Sequence, residues 1–158
     1  MPDLYHLLKL AHIIGAAILF GTGIGIAFFM LMAHRSRNLA AIATTATIVV
    51  IADAVFTATA VVVQPITGIA LAHVAGYSLF DSWIVASAAL YVFVGLCWLP
   101  VLVFQKRMRD LATAALQSGG LLPADYDRYF RYWFVLGWPA FAAMMAIFWL
   151  MIARPQLW

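Results

Sequence analysis

Charge is scarce in this chain of 158 residues. Only 9% of its residues are charged, whereas 66% are hydrophobic and the mean hydropathy is +1.01. Because a soluble domain carries about 25% charged residues, this composition excludes an ordinary soluble domain and indicates a protein embedded in a lipid bilayer. The Lys and Arg residues flank apolar runs instead of forming one basic face, which argues against nucleic acid as a partner.

Cysteine is equally rare, since Cys97 is the only one in the sequence. A single cysteine excludes an intramolecular disulfide, a CxxC pair and a multi-cysteine metal site. The sequence also lacks an HExxH motif and a nucleophile and base pair of hydrolase type. The GTGIG string at residues 21–25 follows no strand and is no nucleotide fingerprint. The glycines at 15, 21, 23 and 25 give the first helix a thin flank for close approach of a helix or cofactor.

Long uncharged runs fill most of the chain. A run of about 20 apolar residues spans the hydrocarbon core, where only a helix satisfies every backbone group within the segment. We therefore predict an all-α polytopic membrane protein, a four-transmembrane-helix bundle in a single membrane domain of residues 1–158. The predicted helices cover about residues 4–32, 39–73, 82–104 and 129–152, with a connector at about 105–128. Within the connector, residues 105–117 are predicted to continue the third helix, Gly119 and Gly120 to stop it, and Pro123 and Asp125 to start the next helix. Pro65 and Pro139 predict bends in the second and fourth helices.

The basic residues are distributed unevenly between the connections. Seven of the nine lie in or beside the first and third connections: Arg35, Arg37, Lys106, Arg107, Arg109, Arg128 and Arg131. The positive-inside rule places those two connections in the cytoplasm and both termini outside. The predicted location is the bacterial inner (cytoplasmic) membrane.

Asp53 is an ionisable residue well inside the second span. Steps of four and three residues from Asp53 trace one helix face: Thr57, Ala60, Gln64, Thr67 and Leu71. A face with a carboxylate must look at protein or water and not at lipid. Two interpretations stay open. The face lines a proton or substrate path in which Asp53 and Gln64 relay protons, or its polar groups form interhelical hydrogen bonds that fix packing.

Among the histidines, His12 lies about two turns inside the first helix, with Lys9 three residues earlier on the same side. An imidazole beside small residues leaves room for a flat cofactor and is a usual axial haem ligand; a hydrogen-bonded packing residue is the alternative. At about 1.5 Å per residue, Gln64 is closest in depth to His12. His73, the candidate second ligand, is shallower, so ligation by His12 alone stays open. His34 is expected at the surface.

Three segments resemble a known family. They are LLKLAHIIGAAILFGTGIGIAFF at the start, ADAVFTATAVVVQPITGIAL in the middle and RYWFVLGWPAFAAMMAIFWLMIARP at the end. Nearly end to end, the chain resembles a bacterial family of predicted integral membrane proteins catalogued as domain of unknown function 2269. More remotely, the Lys9 and His12 pair and the spacing of Pro139 from Arg154 and Pro155 resemble the haem-J type protoporphyrinogen oxidases and the copper-resistance D membrane proteins.

The remoter resemblance implies a b-type haem held by four or more helices, because the first-helix histidine of the haem-J type family matches His12. The chain departs from that family in two places. The GTGIG segment stands where a Trp and an Arg are expected, and Gly137 and Trp138 stand where an Asn-Glu pair is expected. These departures argue against porphyrinogen oxidation and leave haem binding as what the resemblance implies.

The resulting hypothesis is a redox-type integral membrane protein that binds haem b near the outer half of the bundle. His12 would ligate the metal, His73 would be a second cofactor-binding residue, and Lys9, Asp53 and Gln64 would be the catalytic, proton-moving groups. Electrons would pass to or from a quinone-like carrier or a partner protein. The alternative is a cofactor-free membrane subunit or small-solute carrier in which His12 and Asp53 are structural. The oligomeric state, including a homo-oligomer, stays open.

Overall fold

The computed structural model describes residues 2–158, with the side chain of Pro2 excepted. Within that range the regular structure is entirely helical and consists of α1 (Pro2–Ser36), α2 (Leu39–Val74), α3 (Ser82–Ser118) and α4 (Ala124–Ala153). All four helices are long and apolar enough to cross a membrane. The prediction of an all-α protein with four spanning helices is confirmed.

The helices extend beyond the apolar runs that predicted them. α3 continues past residue 104 to Ser118, and Gly119, in a left-handed conformation with φ of 65°, ends it as glycine commonly does. α4 begins at Ala124, as the helix start predicted at Pro123 and Asp125 requires, and so precedes its apolar span at residue 129. Its first turn carries Asp125 and Asp127, whose negative charges stabilise a helix N-terminus.

α2 is interrupted by a π-helical segment, Asp53–Thr57, between the α-helical stretches Leu39–Ala52 and Ala58–Val74. The backbone N–H of Ala58 bonds to the carbonyl of Asp53, five residues earlier. Pro65, where the sequence predicts a bend, lies within the helical stretch Ala58–Val74. A single π-helical turn of this kind often marks a functional site.

The tightest packing lies at one end of the bundle. We call this the connector end, because it holds the connections α1 to α2 and α3 to α4; the terminal end holds both chain termini and the loop 75–81. The largest fully buried side chains are Met30, Ile42, Met108 and Tyr126, and all four belong to the core cluster at the connector end. Towards the terminal end, α2 packs mainly on α1, and α3 packs on α4.

A side-chain hydrogen bond from α3 satisfies the backbone carbonyl of α2 that Pro65 leaves without a helical partner. Proline has no backbone N–H, so the carbonyl four residues earlier, that of Val61, loses its helical partner. The hydroxyl of Tyr91 in α3 donates to this carbonyl at 2.7 Å. The proline is therefore tolerated in the span because a neighbouring helix satisfies the freed backbone group.

Tyr91→Phe is expected to destabilise the protein by about 1–2 kcal/mol, because it leaves the Val61 carbonyl unpaired in a span. Pro65→Ala restores an N–H to that carbonyl, so the tyrosine should matter much less in the Pro65→Ala background. Unfolding midpoints of the four proteins in this double-mutant cycle measure the coupling. Equal losses from Tyr91→Phe in both backgrounds would contradict the assignment.

Arg154 and Ser82 tie the C-terminal segment to the loop 75–81 at the terminal end. The Arg154 guanidinium donates to the hydroxyl of Tyr77 and lies 5.0 Å from the ring centroid of Tyr77 and 5.8 Å from that of Trp83. The hydroxyl of Ser82 accepts from the backbone N–H of Leu157 at 2.9 Å. These contacts give Arg154 a structural role at this end of the bundle.

Candidate functional site

Three polar side chains meet between α1 and α2 in the terminal half of the bundle. Nδ1 of His12 lies 3.0 Å from Oγ1 of Thr67. The side-chain amide of Gln64 donates to the backbone carbonyl of His12 at 3.2 Å and lies 3.5 Å from Nε2 of the same residue. We call His12, Gln64 and Thr67 the polar clasp. The predicted match in depth between His12 and Gln64 is confirmed.

Two side chains of the polar clasp, His12 and Gln64, each lie against a glycine of the opposite helix. A Cβ added at Gly68 of α2 would lie 3.1 Å from Cε1 of His12, and a Cβ added at Gly15 of α1 would overlap Oε1 of Gln64. The α-hydrogen of Gly15 therefore points at Oε1 of Gln64, an oxygen that has no conventional hydrogen-bond donor. Contacts of this Cα–H···O kind recur where helices pack closely.

The GTGIG flank does not take part in this close approach. A Cβ at Gly21 or Gly23 would meet nothing within 4 Å, and a Cβ at Gly25 would meet only Phe29 of the same helix, at 4.0 Å. The expectation of close approach along the glycine flank is therefore met at Gly15, which faces α2, and is not met within the bundle at Gly21, Gly23 and Gly25.

The hydrogen bonds of Thr67 select one tautomer of His12. The hydroxyl of Thr67 is within donating distance of two carbonyls of its own helix, those of Val63 at 2.9 Å and Gln64 at 3.1 Å. With its one proton used there, Oγ1 of Thr67 accepts from Nδ1–H of His12. Nε2 of His12 then carries the lone pair, and its nearest contact is the long one to the Gln64 amide.

A second polar group lies deeper in α2, at the π-helical segment. The side chain of Asp53 is only 3% exposed, and Oδ1 accepts from the indole N–H of Trp98 in α3 at 3.4 Å. Thr57, 8% exposed, has a buried hydroxyl without a partner. The predicted stripe from Asp53 to Leu71 does face protein, since none of its members is fully exposed.

The structure does not bring all the predicted site residues together. Asp53 and Gln64 are eleven residues apart on α2, about 16 Å along the helix. Lys9 is exposed, and its ammonium lies 5.6 Å from the ring centroid of Tyr5. His73 is exposed near the end of α2, about 13 Å along the helix from Gln64. The contact of Trp98 with Asp53 was not predicted, because its position on α3 gave no sign of which helix it faces.

The expectation for His34 was wrong. Its side chain is only 15% exposed, and its ring is stacked on that of Phe130 with centroids 3.7 Å apart and planes 6° from parallel. Nδ1 lies 3.9 Å from a carboxylate oxygen of Asp127. The apolar wall that α4 presents at the connector end, which a sequence cannot position, draws this interfacial histidine into the packing.

The donor chemistry at His12 fits one axial position of a haem. A metal-bound histidine normally donates its second ring N–H to a nearby acceptor, which fixes the tautomer, and Thr67 is such an acceptor. Beside the polar clasp lies an apolar groove of about 290 Å³ lined by α1 and α2, including Gly15, Ala60 and Val63. Gln64 would have to turn away for Nε2 of His12 to reach a metal. No second histidine lies at this depth in residues 2–158.

Four apolar spanning helices joined by intramembrane polar contacts define a multi-pass integral membrane protein. The profile of one family, described as predicted integral membrane protein (DUF2269), matches residues 6–155. The chain belongs to this family. Searches of curated proteins and of solved structures found no match. Membership thus establishes the membrane class and leaves the chemistry to the polar groups within the spans.

Proposed function

We propose that the protein is a redox-type membrane protein that binds haem b through Nε2 of His12. The observation that carries the proposal is the 3.0 Å contact between Nδ1 of His12 and Oγ1 of Thr67. Because the Thr67 hydroxyl has carbonyls of its own helix to donate to, this contact favours the tautomer in which Nε2 of His12 carries the lone pair that a metal needs. His73 is the candidate for a second ligand and would require movement of the end of α2. When bound, a b haem supplies one-electron transfer to a quinone-like carrier or a partner protein.

His12→Ala is expected to remove the haem Soret absorbance from the purified protein while the bundle stays folded. Thr67→Val should weaken haem retention about 10- to 100-fold, the usual effect of losing a residue that orients a metal ligand. His34→Phe is the matched control, because an aromatic ring retains the stack on Phe130 at the other end of the bundle; its spectrum should not change. Full haem content with an unchanged spectrum in His12→Ala would overturn the assignment.

A cofactor-free membrane subunit or small-solute carrier is the second candidate. It is favoured by the tight packing around His12, whose ring contacts both Gly68 and Gln64 in the polar clasp. In this case the polar clasp only joins α1 to α2. The unmutated protein, produced with ample haem, would then be colourless, and His12→Ala would lower stability alone.

The proposed redox function includes a proton relay. Asp53 would hold the proton, Gln64 would pass it along the buried face of α2, and Lys9 would meet it at the membrane surface. The support is the burial of Asp53 and Thr57 on the same face as Gln64. Water must bridge about 10 Å between Thr57 and Gln64, where Ala60 is the apolar member of the face.

We place the connector end in the cytoplasm and the terminal end outside, in the bacterial inner membrane. The support is the clustering of basic residues at the connector end, where Arg37 also pairs with Asp127 at 3.0 Å. Reporter fusions after Gly119 and after Trp158 should therefore report opposite sides of the membrane, with Gly119 cytoplasmic. A cytoplasmic signal from both fusions would contradict this topology.

A further inference from the structure

Asp53 has no charged partner among residues 2–158, the part of the chain that the structure describes. The described aspartates that form ion pairs are Asp110, Asp125 and Asp127, all near the connector end. The partner of Asp53 is the neutral indole N–H of Trp98, at the long distance of 3.4 Å. An isolated carboxylate charge inside a span costs several kcal/mol, so the protein must compensate it by some other means.

The Thr57 hydroxyl lacks the intrahelical hydrogen bond that three other threonines of α2 make. Thr47, Thr59 and Thr67 each donate to the carbonyl four residues earlier, at 2.9, 2.7 and 2.9 Å. For Thr57 that carbonyl belongs to Asp53; in the π-helical turn it accepts from the N–H of Ala58, and the Thr57 hydroxyl makes no bond to it. The Thr57 hydroxyl is left buried and unpartnered one turn from the Asp53 carboxylate.

We propose that Asp53 and Thr57 form an intramembrane proton-binding site. A proton from the aqueous phase joins Oδ2 of Asp53, and a rotation of the side chains lets the resulting O–H donate to Oγ1 of Thr57, which has no partner as the structure stands, while Oδ1 keeps the indole N–H of Trp98. The proton neutralises the carboxylate, and the same bond satisfies the orphaned threonine oxygen. The site coincides with the π-helical turn, where the Thr57 hydroxyl lacks the intrahelical bond that Thr47, Thr59 and Thr67 make.

The surrounding helices bring no competing charge. Between His12 and His34, α1 has no titratable side chain. In the stretch of α3 around Trp98, the titratable groups are Tyr91, whose hydroxyl is bonded to the Val61 carbonyl, and the buried thiol of Cys97. α4 carries no titratable side chain from residue 133 to residue 153. Asp53 is therefore the proton acceptor of this region.

The face that carries Asp53 and Thr57 becomes polar again towards one end of the bundle only. Continuing it towards the connector end in steps of four and three reaches Val49, Ala46 and Ile42, which are 3%, 1% and 0% exposed. In the other direction the face passes Ala60, which is also buried at 4% exposed, and reaches Gln64 in the polar clasp. We therefore expect protons to reach Asp53 from the terminal end.

Infrared spectroscopy of the full-length protein in lipid tests the site directly. The unmutated protein should show the C=O stretch of a protonated carboxylic acid at neutral pH, with a shift in D2O. Asp53→Asn should abolish this band. Thr57→Val should keep it but shift its frequency, because the O–H loses its acceptor. Thr59→Val is the matched control and should change nothing, since the Thr59 hydroxyl bonds to its own helix.

This inference rests on the proposed function only in taking Asp53 as the proton carrier, and the measurement separates the two. The carboxylic band should persist in His12→Ala, whatever the haem content of the unmutated protein. If Asp53→Asn fails to fold, ¹³C-aspartate labelling of the unmutated protein assigns the band instead. Absence of any such band would overturn the proposal. So would loss of the band on adding Na⁺ at fixed pH, which would indicate a cation site, or an unshifted band in Thr57→Val.

Discussion

Gly15→Leu should destabilise the protein by about 2–4 kcal/mol, the sum of overpacking and the loss of hydrogen bonds between helices. The first carbon of the new side chain would occupy the space of Oε1 of Gln64. Gln64 would have to leave the polar clasp, taking with it the bond to the His12 carbonyl. The unfolding midpoint of the purified protein measures this loss.

Gly23→Leu is the matched control for that experiment. It adds the same side chain to the same helix at a position with open space, so its effect should stay within about 0.5 kcal/mol. Both variants lose the same glycine flexibility. If the two variants lowered the unfolding midpoint equally, the cause would be a general property of α1. The close contact at Gly15 would then not explain the loss of stability.

Tyr126→Ala is the second large expected effect, a loss of about 3–5 kcal/mol as for other large buried aromatic residues. Tyr126 is fully buried at the connector end, and its ring lies 5.8 Å from that of His34 and 6.4 Å from that of Phe130. Removing it opens a cavity between α1 and α4, which chemical or thermal unfolding will report.

Tyr126→Phe separates the ring of this residue from its hydroxyl. The hydroxyl is buried and has no partner among the described residues, so its removal should be neutral or stabilise the protein by about 1 kcal/mol. A loss as large as that of the alanine variant would mean that the hydroxyl has a partner, such as a bound water, and the packing interpretation would fail.

The spans were predictable because a bilayer requires about 20 apolar residues and the connections carry the charge. The depth of His12 relative to Gln64 was also predictable, since rise per residue is fixed in a helix. Rotation about the helix axis was not. For that reason the sequence placed Gly15 in a flank with Gly21, Gly23 and Gly25 without showing that Gly15 alone of these contacts α2, and it did not identify Gly68.

The π-helical turn shows a different limit of sequence reasoning. Its residues, Asp53–Thr57, include neither glycine nor proline, so no local signal distinguishes them from the helix on either side. Pro65 carries such a signal, yet the structure accommodates it within a continuous stretch of helix. The burial of Asp53 was predictable from its face of the helix. The unpartnered hydroxyl of Thr57 was not predictable, because it depends on the backbone geometry of the π-helical turn.

The bond from Tyr91 to the Val61 carbonyl also predicts how α2 and α3 insert into the membrane during synthesis. α2 emerges from the ribosome before α3, so its proline-freed carbonyl meets the membrane interior without the tyrosine that satisfies it. A bare carbonyl in hydrocarbon costs several kcal/mol, which favours retention of α2 at the insertion machinery until α3 follows. The two helices should therefore enter the lipid as a pair, and α2 alone should insert poorly unless Pro65 is replaced.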